Sequence, residues 1–113
     1  MSIDDIILKT TKTRLSRADV AACCQQEQIS PEVFCDEFAR RVAVGYTSQR
    51  FSFADAATAM NGLWFGLNFQ VPKFAESVFG CFDAGEYHPK TPHLSEDEIA
   101  RPLIESSLHE SAA

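Results

Sequence analysis

The chain has 113 residues, of which 45% are hydrophobic, and a formal net charge of -6. This length suits one domain with its own core, and the composition is that of an ordinary globular protein. The acidic balance disfavours phosphate backbones as partners and favours basic ones. Residues 1–17 are the exception, since they hold four basic against two acidic side chains. We predict a single helical domain over residues 1–110 and a disordered tail at 111–113.

The N-terminal segment MSIDDIILKTTK begins with acidic residues and has no basic region followed by an uncharged one. It therefore does not read as a signal peptide, and we expect a cytoplasmic protein. The four cysteines form no C-x-x-C motif, which disfavours a zinc knuckle or a redox motif. We expect reduced structural thiols and no cofactor. The four are Cys23, Cys24, Cys35 and Cys81.

Six positions along the chain are typical of helix starts. Serine at an N-cap accepts a bond from a backbone N–H, and a carboxylate three residues later reaches back to it. Four serines have Asp or Glu at that spacing, while Ser30 is followed by Pro31, a favoured first helical residue. Pro72 gives the sixth start, and the five serines are Ser2, Ser16, Ser30, Ser52 and Ser95. These starts predict an all-α fold, a compact bundle of five or six short helices.

Apolar residues recur at helical spacing within these segments. Between residues 30 and 46, Phe34 and Phe38 fall on one side and the charged residues on the other. Residues 72–85 show a similar apolar arc, after which Gly85 is expected to end the helix. In the last segment, Pro102 predicts a kink or a restart.

The segment MNGLWFGLNFQV, residues 60–71, has no charged residue. The uncharged stretch is shorter than the ~20 residues that cross a bilayer, so we predict no membrane span. Instead we predict that residues 52–70 form the central helix of the bundle, with Trp64 buried on its core side. Gly62 and Gly66 are expected to let a neighbouring backbone approach closely. In the alternative interpretation, the side of this helix that holds Phe65 and Phe69 forms a partner or homodimer interface.

Four potential metal ligands follow the fifth helix: Asp83, Glu86, His88 and His93. Carboxylates and imidazoles together bind zinc and similar ions. Their spacing matches no compact motif, and two prolines separate the histidines. We therefore predict a solvated loop and no metal site, with these residues as weak candidates. No nucleophile or phosphate-loop motif is present, and we expect a non-enzyme.

Residues 14–41 loosely resemble a helix-turn-helix, with arginines at both ends. The second helix, however, begins with acidic residues that phosphates would repel. Nucleic acid is therefore a disfavoured partner, and a transcriptional regulator of this kind is retained only as an alternative.

The acidic surface favours a protein-binding or regulatory domain, acting as an antagonist of a basic partner in the manner of inhibitor and immunity proteins. Glu32, Asp36 and Glu37 are the predicted contact residues, because they fall on one exposed helix face and only Glu32 is close enough to the helix start to stabilise it. A homodimeric structural or small-molecule-binding protein, built on the aromatic helix at 60–71, is the other alternative.

Overall fold

Each helix start predicted from the sequence is present in a computed structural model, which describes residues 1–68, 70–87 and 93–112. Of Ala112, only the backbone is described. The described residues form six helices and no strand, so the predicted all-α bundle is confirmed. The helices are α1 (Ile3–Thr10), α2 (Arg17–Glu27), α3 (Pro31–Thr47), α4 (Phe53–Gly66), α5 (Lys73–Glu86) and α6 (Glu96–Ala112). Within the same residues, no helix has the length and apolarity needed to cross a membrane.

Serine side chains cap five of these helices. In each case the hydroxyl oxygen accepts a bond of 3.1–3.3 Å from the backbone N–H three residues later. The reciprocal bond, which the backbone N–H of the serine donates to the carboxylate, forms at Ser2 and Ser95. At α2 it does not form, because Asp19 pairs instead with Lys9 Nζ at 2.8 Å. Each cap satisfies a backbone donor that the helix itself leaves unpaired.

Helix α3 lies at the centre of the bundle and packs against each of the other five. Two phenylalanines, Phe34 and Phe38, and Tyr46 are among its fully buried side chains. The ring of Tyr46 extends the core toward α5, since it packs edge-on against the ring of Phe82, with the two ring centroids 5.1 Å apart. The core therefore forms around residues 31–47.

The sequence prediction placed residues 52–70 at the centre, and this differs from the structure. Helix α4 packs chiefly against α1, α3 and α5, and its opposite side faces solvent. It ends at Gly66 because Asn68 adopts a left-handed conformation with φ of 54°. Small alanines explain the different orientation, because they let α4 approach its neighbours closely without a bulky side chain. The buried side chains of α4 are Ala56, Ala57, Ala59, Met60 and Leu63.

Gly85 does not end α5, as its position in the sequence suggested. It is buried within the helix, where an added Cβ would lie 2.9 Å from Phe53 Cε2 and 3.1 Å from Ala100 Cβ. The residue is a close-packing point between α4, α5 and α6. Nor does Pro102 restart the helix, since α6 passes through it. Helix α6 extends to Ala112, residue 113 lies outside the described residues, and disorder of 111–113 stays a prediction.

Candidate functional site

The second half of α4 presents its aromatic residues at the surface of the bundle. Leu63 is buried, Trp64 is half-buried, and Phe65 has 60% of its surface exposed. Trp64 was predicted to lie in the core, and this prediction is wrong. The helix is rotated so that Trp64 lies at the edge of the buried face and Phe65 at the middle of the exposed one. Phe69, predicted as its companion at an interface, lies outside the described residues.

An aromatic cluster joins α4 to α5 at this surface. The ring planes of Trp64 and Phe79 are stacked, with centroids 4.6 Å apart and planes inclined by 11°. Phe65 meets Phe79 edge-on, with centroids 6.5 Å apart. Both arrangements are favourable for aromatic pairs. We call these three residues the aromatic ridge.

Acidic residues flank the ridge on the α5 side. Glu76 and Asp83 are exposed and lie three residues before and four residues after Phe79, so they share its side of the helix. We call this pair the acidic flank. Glu86 lies close by and accepts a bond of 3.4 Å from Asn61 Nδ2 of α4. Neither Glu76 nor Asp83 has an ion-pair partner among the described residues.

A basic groove lies on the other side of Phe65, between α4 and the connection from α1 to α2. Its volume is about 600 Å³, within the range of small-ligand pockets. Arg14 and Arg17 are its charged lining residues, and no described carboxylate lines it. Arg17 Nε donates to the carbonyl oxygen of Gly66 at 3.0 Å, which fixes the arginine at the end of α4. The other lining residues are Thr10, Thr13, Leu15, Thr58, Asn61, Gly62, Phe65, Gly66 and Asn68.

Gly62 and Gly66 form part of the wall of this groove, and side chains lie close to them where the sequence predicted a neighbouring backbone. A Cβ at Gly62 would lie 2.4 Å from Thr10 Cγ2, and one at Gly66 would lie 2.9 Å from Leu15 Cδ2. Real Cβ contacts are not this short, so a larger residue at either position would require Thr10 or Leu15 to move. The two glycines therefore hold the arginines against the exposed face of α4.

The predicted acidic contact face consists of Glu32, Asp36 and Glu37. A neighbouring arginine pairs with one of these carboxylates, and a second is partly buried. Glu32 is exposed, whereas the other two are half-buried. Glu37 accepts from Arg41 Nε at 3.3 Å, and Asp4 also lies 3.3 Å from that guanidinium. Asp36 Oδ1 is buried without a hydrogen-bond partner among the described residues. The structure therefore does not bring these three carboxylates together as one open face.

A second cleft, of about 630 Å³, lies between α2, the start of α3 and the α4–α5 connection. Cys24 and Cys35 line it, and all four cysteines of the chain are free. Burial raises the pKa of the Cys35 thiol to about 11 and also raises the pKa of the Cys24 thiol. A protonated thiol is a poor nucleophile and a poor metal ligand, so these cysteines are suited to packing.

Three of the four weak metal candidates, Asp83, Glu86 and His93, lie among the described residues, and the structure does not group them as metal ligands. Among the residues that the structure describes, no three His, Cys, Asp or Glu side chains are grouped as metal ligands. Asp83 is exposed, Glu86 contacts Asn61, and His93 is exposed. His88 lies outside the described residues.

The two helices of the loose helix-turn-helix pattern exist as α2 and α3. Eight residues of α3 are buried, and the helix contacts every other helix. Its exposed start carries Glu32, which phosphates would repel, and this argues against the alternative.

A comparison of the chain with protein-family models, with curated proteins and with solved structures finds no match. The interpretation of the surface around Phe65 therefore depends on its own geometry. That surface consists of the aromatic ridge, the acidic flank and the basic groove.

Proposed function

We propose that this protein is a non-catalytic protein-binding domain that contacts its partner through the surface centred on Phe65. The exposure of Phe65 is the observation on which the proposal depends. Phenylalanine is normally buried, and aromatic side chains are favoured anchors of protein interfaces. Here one stands 60% exposed beside two half-buried aromatics.

The surroundings of Phe65 resemble those of an interface anchor. Thr58 and Asn61 continue its exposed face along α4 without charge, while charged residues lie to either side. An apolar centre with a polar and charged rim is the usual anatomy of an interface. The non-catalytic part of the proposal is supported by the raised thiol pKa values, which disfavour cysteine nucleophiles.

The contact residues in this proposal differ from those expected from the sequence. Glu37 is paired with Arg41, and one of the two carboxylate oxygens of Asp36 is buried. The alternative interface at Phe65 is therefore favoured over the acidic face of α3.

Site-specific photo-cross-linking tests the proposal. Phe65 is replaced by benzoylphenylalanine, and irradiation is performed in an extract of cells that express the protein. Leu103, which is 43% exposed on α6, receives the same substitution as a control. We expect a discrete cross-linked protein at position 65 and none at position 103. Equal, diffuse labelling at both positions would contradict the proposal.

A further inference from the structure

We infer that the partner at this surface is a second copy of the same chain, packed about a two-fold axis that passes near Phe65. The inference rests on the proposed function, because it names the partner of the same surface. It depends on how charge is distributed on either side of the aromatic ridge.

Phe65 stands between opposite charges. On one side it lines the basic groove together with Arg14 and Arg17. On the other side its ring meets Phe79, and the two carboxylates of the acidic flank lie one turn away from Phe79 along α5. One exposed aromatic residue therefore separates a positive surface from a negative one.

A surface of this kind is complementary to itself under a two-fold rotation. In a symmetric dimer, residue i of one copy contacts residue j of the other, and j contacts i in return. A half turn about Phe65 places the basic groove of each copy opposite the acidic flank of the other. The same favourable charge contact then forms twice, while the two Phe65 rings meet near the axis.

The arginines are available for these contacts. Arg14 makes no hydrogen bond or ion pair with another described residue. Arg17 uses its Nε for the Gly66 carbonyl, and its terminal amino groups have no bond within the described residues. A guanidinium offers paired donors that fit a carboxylate, which is the group that Glu76 and Asp83 present.

The net charge makes this arrangement selective. Two copies of a chain with a formal charge of -6 repel each other in most orientations. The basic residues are concentrated in the first part of the chain, and the fold places Arg14 and Arg17 beside Phe65. The proposed orientation is therefore one in which local attraction opposes the general repulsion.

Sedimentation equilibrium of charge-reversed variants tests the inference. Arg14→Glu places like charges in both contacts of the dimer, and so does Asp83→Lys. We expect each variant alone to dimerise at least tenfold more weakly than the wild-type protein. An equal mixture of the two should recover the wild-type affinity, because the two reversed charges then attract each other and the second contact is unaltered. Glu76→Lys replaces Asp83→Lys if the latter loses its helical circular dichroism.

Matched controls place the same charge changes elsewhere. Arg50→Glu changes a residue before α4, at the opposite end of that helix from Phe65, and Glu105→Lys changes an exposed residue of α6. We expect both to leave the dimer dissociation constant within about twofold of the wild-type value, as separated surface charges are largely screened. Phe65→Ser should leave a monomer.

Two results would overturn the inference. One is a wild-type protein that stays monomeric up to millimolar concentration, and the other is a mixture that dimerises no better than its two components. The position-65 cross-link separates this failure from that of the proposed function. A cross-link to a different protein would retain a binding surface at Phe65 and reject the second copy as the partner. A wild-type protein that stays monomeric and gives no discrete cross-link at position 65 would reject both the dimer and the proposed function.

Discussion

The indole of Trp64 lies flat against the ring of Phe79, with the two planes inclined by 11°. The stack closes the seam between α4 and α5 at the surface of the bundle. Phe65, the next residue along α4, contacts the same Phe79 ring by its edge. A single residue of α5 thus supports both aromatics, and Phe65 is held in place by packed neighbours. A rigid anchor loses little side-chain entropy when a partner covers it.

The half-buried position of Trp64 predicts a moderate role in stability. Trp64→Ala should lower the free energy of unfolding by about 2 kcal/mol, below the ~3–5 kcal/mol typical of a fully buried tryptophan. Leu63→Ala, at a fully buried neighbour, should cost about 3 kcal/mol. Urea unfolding followed by circular dichroism at low protein concentration measures both. A larger loss from Trp64→Ala than from Leu63→Ala would place the indole in the core after all.

Gly62 and Gly80 give opposite predictions for the same change. Gly62→Ala places a Cβ against Thr10 Cγ2, on a branched side chain whose hydroxyl already donates to the Ile6 carbonyl at 2.6 Å. Because Thr10 is stiff and buried, we expect a loss of about 1–3 kcal/mol.

Gly80→Ala meets no atom within 4 Å and should instead stabilise α5 by about 0.5–1 kcal/mol. Thermal unfolding of the two variants gives the comparison. If both alanines raised the melting temperature, α1 and α4 could not be as close as the structure places them.

The side chain of Tyr46 links α3 to α6 through two contacts. Its hydroxyl donates to Asp97 Oδ1, and the guanidinium of Arg101 lies over its ring at 4.6 Å. Tyr46→Phe keeps the ring and removes only the hydroxyl, so we expect a loss of about 1.5–3 kcal/mol for a bond to a charged group. Tyr87→Phe removes a hydroxyl from a side chain that is 71% exposed and should have no measurable effect. Equal melting temperatures for the two variants would show that the Asp97 bond does not contribute to stability.

The buried Cys35 thiol makes stability fall at high pH. Burial raises its pKa to about 11, so between pH 9 and pH 11 the thiol ionises in the unfolded chain while it stays protonated in the folded one. The folded state then binds more protons, and its stability decreases as the pH rises. The decrease should reach about 2 kcal/mol by pH 11, and most of it should occur above pH 9. Chemical unfolding of wild-type protein and Cys35→Ala across this range isolates the effect, since the variant should lack that part of the slope. Parallel pH profiles would show that Cys35 does not titrate differently on folding.

The sequence predicts the helices well because their starts depend on local chemistry. A serine oxygen three residues from a free N–H acts over one turn, so Ser2, Ser16 and Ser52 could be interpreted without knowledge of the fold. A close approach at Gly62 and Gly66 was also predicted, but the atoms that approach belong to the side chains of Thr10 and Leu15 and not to a backbone.

The orientation of α4 was not predictable in the same way. Counting large apolar side chains favoured the face that holds Trp64 and Leu67, whereas the packed face uses Ala56 and Ala59. Small side chains bury little area themselves but allow two helices to pack closely. The stabilisation that results depends on the side chains of the neighbouring helix. The basic groove depends likewise on contact between residues far apart in sequence, as in the bond from Arg17 to Gly66.

The intrinsic fluorescence of Trp64 reports directly on whether two copies of the chain meet at the surface around Phe65. It is the single tryptophan of the chain and lies within the proposed interface. Emission and acrylamide quenching are recorded from nanomolar to high micromolar protein, for the wild type and for Arg14→Glu. We expect wild-type emission to shift to shorter wavelength and to become less quenchable with concentration, while the emission of the variant stays unchanged over most of that range. A wild-type spectrum that is the same at every concentration would contradict this expectation.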